Sequence, residues 1–149
     1  MNQKYLDLAF KYAEIAFNNN EVPIGAVIIK NNEVVGFGYN SKEINNSVLK
    51  HAELIAIENA SKNLNNWRLE DCDIYVTLDP CPMCASAIKQ SRIKNVYSAL
   101  NNADENNLDI IKNIFKTDKV NPSVNFITNL DTEKSKNLLN SFFKKQRNN

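Results

Sequence analysis

The sequence predicts an α/β fold in three layers, with helices on both faces of a five-stranded mixed sheet. Three observations carry that expectation. Helical spacing and short β-rich runs alternate along the chain in the order α-β-β-α-β-α-β-α-β-α. The first two β runs are joined only by Asn31-Asn32, a link that suits a hairpin because Asn tolerates left-handed backbone. Finally, 149 residues with 43% hydrophobic content is the size and composition of one ordinary domain with a real core.

Residues 4–17 place Leu6, Ala9, Ala13 and Ala16 or Phe17 at the spacing of a helix with one buried face, ended by Asn18 to Asn20. Pro23 opens strands at 24–30 and 33–39, and residues 40–50 read as a loop. A helix over 51–64 holds Leu54, Ile55, Ala56 and Ala60 in register. A strand at 73–78 is stopped by Pro80, and a helix follows over 81–90. The remaining elements are a strand at 95–99, a helix at 108–115, a strand at 124–128 and a helix at 131–146. The chain carries no internal repeat and no linker, so residues 1–149 are expected to form a single domain.

Composition narrows the function classes. The longest apolar run, Ala26 to Ile29, is far too short to cross a bilayer, so no membrane partner is expected. Residues 1–10 lack the basic-then-apolar order of a signal peptide, which points to the cytoplasm. Three cysteines without such a signal favour metal or redox chemistry over a disulfide framework. A net charge of +1 does not by itself announce a nucleic-acid partner.

The chemistry is concentrated in two short segments. His51 and Glu53 open one helix, while Cys81 and Cys84 open another directly after a strand. Cysteines three apart share a helix face, and a helix N-terminus favours the thiolate form. One imidazole and two thiolates leave a tetrahedral zinc ion with an open fourth position for water, whose pKa falls to about 7. Glu53 is close enough to reach that water without being a ligand. His51-Ala52-Glu53 with Pro80-Cys81-Pro82-Met83-Cys84 is the H-x-E and P-C-x-x-C signature of zinc-dependent nucleobase deaminases.

Other readings of the same residues compete with this one. Cys72 would close a structural zinc site, but a strand separates it from Cys81 by roughly 20–30 Å, which makes it a buried thiol instead. Strand-then-C-x-x-C-helix is also a thioredoxin-like pattern, with Pro122 as a later proline, but it leaves His51 and Glu53 unexplained.

At these motifs the chain resembles the cytidine and deoxycytidylate deaminase superfamily, and within it the bacterial tRNA-specific adenosine deaminases. The resemblance runs through Glu21-Val-Pro-Ile-Gly-Ala26, Gly38-Tyr39-Asn40, His51-Ala-Glu-Leu-Ile-Ala56 and Trp67-Arg68-Leu69. It continues through Tyr75-Val-Thr-Leu-Asp-Pro-Cys-Pro-Met-Cys84 and Ser91-Arg92-Ile93, and ends at Phe142-Phe143-Lys144-Lys145-Gln146-Arg147. It implies a cytidine deaminase-like sheet, one zinc per subunit held by His51, Cys81 and Cys84, and Glu53 as the catalytic proton carrier. It further implies that Asn40 hydrogen-bonds the target nucleoside and the backbone of Ala52 contacts the base. Lys144, Lys145 and Arg147 would lie near RNA phosphates. The implied activity is conversion of wobble adenosine to inosine in a tRNA anticodon loop, by a homodimer.

Two segments depart from the family pattern. Ser47-Val48-Leu49-Lys50 stands where relatives carry an Asp-Pro-Thr-Ala-like stretch. Residues 101–107 hold Asp104 and Glu105 in place of a glycine-rich basic loop. These changes, with the low net charge, keep a second reading open: a deaminase of a free base or nucleoside such as guanine or cytosine. The Ser-Arg-Ile and Phe-Phe-basic segments oppose it. A third reading, a zinc-retaining RNA-binding subunit without catalysis, is opposed by an intact Glu53.

Overall fold

The structure, a computed structural model, describes residues 1–102 and 105–148. Its five strands form one sheet in the order β2-β1-β3-β4-β5: β1 Gly25–Lys30, β2 Glu33–Tyr39, β3 Asp73–Val76, β4 Asn95–Ser98 and β5 Asn125–Ile127. β1 runs antiparallel to β2 and β3, whereas β3, β4 and β5 are parallel, so the sheet is mixed as expected. The Asn-Asn link makes the β1–β2 turn, with φ of 51° at Asn31 and 62° at Asn32, the pair of left-handed residues a two-residue hairpin requires.

Alternation along β1 builds both cores. Ala26 and Ile28 face a cluster with Ala52, Ala56 and Ala60 of α2 (Ala52–Leu64), Ala85 and Ile88 of α3 (Pro82–Gln90), and Ile111 of α4 (Glu105–Ile114). Val27 and Ile29 face the opposite cluster, where Tyr5, Leu6, Ala9 and Phe10 of α1 (Gln3–Asn18) meet Tyr75 and Leu138, the latter from α5 (Thr132–Arg147). Helices on both faces give the three-layer α/β/α arrangement.

Two glycines seat α2 flush against the sheet. A methyl group on Gly38 would lie 2.3 Å from the Ala52 carbonyl oxygen, and one on Gly36 would lie 2.6 Å from that of Ala56. The helix can approach this closely only because β2 carries no side chain there. Its N-terminus, and with it His51, is thereby fixed relative to the strand ends.

The fourth helix begins earlier than its apolar pattern suggests. Periodicity starts at Leu108, but α4 already includes residues 105–107, which supply the turn preceding the first apolar residue. The expected loop over 101–107 is therefore shorter, and Asp104 lies outside the described residues. Among the described residues no helix is long and apolar enough to cross a membrane.

Candidate metal centre and substrate cavity

His51 and Cys81 occupy equivalent places in the fold: each is the N-cap of its helix, in extended backbone, and neither uses its side chain to cap. Pro82 at the first helical position pre-sets the backbone turn after Cys81. The connection before it is tied down along its length. Gly25 N–H donates to Thr77 Oγ1 at 3.2 Å, Asp79 N–H donates to the Leu100 carbonyl at 2.9 Å, and Thr128 donates its hydroxyl to the buried Asp79 carboxylate. Cys81 and Cys84 are thus held beyond the carboxyl ends of the parallel strands, the usual ligand-binding end of an open α/β sheet.

The three side chains converge. His51 Nδ1 lies 3.7 Å from Cys81 Sγ and 3.4 Å from Cys84 Sγ. Among the described residues, His51, Cys81 and Cys84 form the group whose ligand atoms, all within 4.8 Å of one another, can hold a metal ion. Zinc fits this set: bonds of about 2.0 Å to nitrogen and about 2.3 Å to sulfur, at a tetrahedral angle, separate the two donors by roughly 3.5 Å. Cys72 is fully buried in the core facing α2 and takes no part in the group.

Electrostatics within the cluster divide the sulfurs. A hydrogen bond from the Cys84 side chain, the N–H groups of Met83 and Cys84, and the charge of His51 bring the Cys81 thiol down to about 5 against its burial. The same bond with Cys81, burial and the nearby Glu53 charge push Cys84 up. Glu53 sits one helical step inside α2, only 4% exposed, and burial lifts its carboxyl to about 7. Its own backbone N–H and Cys84 oppose that rise, and the Cys81 charge adds to it.

A cavity of about 710 Å³ opens beside His51, lined also by Glu21, Asn40, Lys42, Phe142 and Phe143. Asn40 Oδ1 accepts the Ala52 N–H at 2.9 Å, which leaves the Asn40 amide nitrogen as its group available to a ligand. The Ala52 N–H is accordingly already engaged. Lys144, Lys145 and Arg147 are exposed on the last turns of α5, and Lys145 Nζ rests 5.3 Å from the centre of the Phe17 ring. None of the three lines the cavity.

Sequence reasoning gave no role to Glu21 or to the two phenylalanines as cavity walls. Glu21 is 2% exposed, yet its partners are backbone N–H groups of a distant loop, which leave no sequence signal. Phe142 reaches the cavity because α5 packs beside α1, its ring meeting that of Phe17 edge-on at 6.2 Å.

A three-layer α/β/α sheet with an imidazole and two sulfurs gathered at two helix N-termini defines a protein of the cytidine deaminase-like superfamily. The chain belongs to the MafB19-like deaminase family, whose model matches residues 1–147. It is 39% identical over 146 residues to a tRNA-specific adenosine deaminase of Aquifex aeolicus (strain VF5), covering 97% of this chain and 95% of that one. It also superimposes, with a TM-score of 0.84 and 30% identity, on a structure from a study of A-to-I editing by tRNA:A34 deaminases at the wobble position of transfer RNA. That match covers 93% of this chain and all of the other. A guanine deaminase structure from Bacillus subtilis is 32% identical, with a TM-score of 0.68, and covers 100% of this chain and 96% of its own.

Proposed function

We propose that this protein is a zinc-dependent hydrolytic deaminase that converts wobble adenosine to inosine in a tRNA anticodon loop. The observation that carries the chemistry is a buried carboxyl, Glu53, set two residues from His51 beside the sulfurs of Cys81 and Cys84. The substrate assignment is supported by the likeness to tRNA adenosine deaminases across nearly the whole chain.

His51, Cys81 and Cys84 would hold one zinc ion per subunit, which when bound supplies a Lewis acid that activates water at neutral pH. Water attacks C6 of adenine. Glu53 takes one proton from it and delivers it to the ring nitrogen N1, then moves the remaining hydroxyl proton from C6 to the departing amine, so that ammonia leaves and inosine remains. Asn40 offers its amide nitrogen to the nucleoside, and the backbone of Ala52, whose N–H Asn40 already holds, meets the base by contact alone. The target base must be unstacked to enter the cavity, which an anticodon loop permits and a duplex does not. Lys144, Lys145 and Arg147 contact phosphates from the exposed end of α5. The resemblance extends the proposal to a homodimer in the cytoplasm.

The likeness to a guanine deaminase supports a second reading, deamination of a free base in the same cavity. The two readings part in one experiment: incubation with an anticodon stem-loop carrying wobble adenosine, beside free adenosine, guanine and cytosine, read by mass spectrometry. Conversion of the stem-loop alone supports the tRNA assignment. Conversion of a free base, with the stem-loop untouched, removes that assignment and keeps the chemistry.

A further inference from the structure

Residues 41–50 form a loop closed on itself, with Ser41 N–H donating to the Lys50 carbonyl at 3.1 Å and Ser47 N–H to that of Lys42 at 3.0 Å. It is not held by apolar burial: Ile44, Val48 and Leu49 are all about 60% exposed. Among the described residues, the hydrogen bonds that join positions 41–50 to the rest of the protein both end on one side chain. Glu21 accepts the Ile44 N–H at 2.8 Å on one carboxylate oxygen and the Glu43 N–H at 3.2 Å on the other.

Glu21 is itself firmly placed. It follows Asn20, whose φ of 61° turns the chain out of α1, and its N–H donates to the Ala16 carbonyl at 2.9 Å. Lys42 and Glu43, carried by the loop, line the cavity beside His51, and so does Glu21. We infer that Glu21 is a positioning residue that sets the loop wall of the substrate cavity and so governs substrate affinity more than the chemical step.

The inference rests on the reading of this cavity as the substrate site. Its structural half does not depend on any substrate. Glu21→Gln keeps the volume but turns an NH₂ group toward one of the two loop N–H donors, while Glu21→Asp keeps both acceptors on a shorter stem. Hydrogen exchange of the zinc-loaded protein should show the Glu43 and Ile44 amides exchanging about tenfold faster or more in Glu21→Gln, as expected for a lost bond to a charged group. The α2 amides should be unchanged, and Glu21→Asp should fall between. In steady-state assays on the stem-loop, Glu21→Gln should raise KM several-fold and leave kcat within about twofold.

Unchanged exchange at Glu43 and Ile44 would overturn the inference. So would acceleration that spreads equally to α2, or a fall in kcat at constant KM. If Glu21→Gln does not fold, the same exchange comparison on Glu21→Asp decides. If wild-type protein converts no substrate, the proposed function fails while the exchange data still judge the loop tether.

Discussion

Asn40 Oδ1 accepts the Ala52 backbone N–H at 2.9 Å, a single bond that ties the end of β2 to the first turn of α2 beside His51. The side chain thus has a scaffold half, the oxygen, and a free half, the nitrogen. Asn40→Asp keeps the acceptor and removes the donor. It is expected to retain fold and metal while kcat/KM falls about tenfold or more. Asn40→Ala also orphans the buried Ala52 N–H and should lose about 1–3 kcal/mol of stability in addition. Parallel kinetics and thermal denaturation check both.

Metal content separates the three cysteines. Cys84→Ser should leave the protein with far less zinc than the roughly one ion per chain expected of the wild type. Cys72→Ala should keep full occupancy and lose about 1–2 kcal/mol by emptying core volume. Elemental analysis of the purified variants decides the point, and full zinc in Cys84→Ser would refute the ligand set.

The seating of α2 is testable at its glycines. Gly38→Ala forces a methyl against the Ala52 carbonyl, and Gly36→Ala forces one against that of Ala56. Each should destabilise by about 1–3 kcal/mol or more, as overpacking does. Gly38→Ala, a turn closer to His51, should also lower zinc affinity the more of the two. Equal metal affinity in the pair would contradict the link between helix seating and the site.

Phosphate contact makes affinity fall with salt by about 0.7 in log–log slope for each single-stranded phosphate engaged. Replacing Lys144 and Arg147 together with Ala should reduce the slope of stem-loop binding by about 1.4 on that count. Lys145 already rests on the Phe17 ring, so its removal should change the slope less. An unaltered slope in the double variant would move the RNA contact elsewhere.

The parts legible in sequence were those written in short-range spacing. The hairpin followed from Asn31-Asn32, and the metal group from His-x-Glu and Cys-x-x-Cys at two helix starts. The first turn of α4 was hidden because residues 105–107 precede any apolar period. Gly36 and Gly38 fall inside the expected strand over 33–39, and nothing in their spacing marks the helix that packs against them. Glu21 lies in a family-like segment, but its partners are backbone N–H groups, which leave no mark in the residues that supply them. Phe142 and Phe143 needed the tertiary fold to bring α5 to the cavity of His51.

In the proposed reaction water replaces the amine of adenine while Glu53 moves the protons. This is tested most directly by running the stem-loop reaction in heavy-oxygen water with wild-type protein and Glu53→Ala. Inosine made by the wild type should carry the heavy oxygen, and the zinc-loaded variant should react more slowly by about a hundredfold or more. Unlabelled inosine, or undiminished turnover in Glu53→Ala, would contradict it.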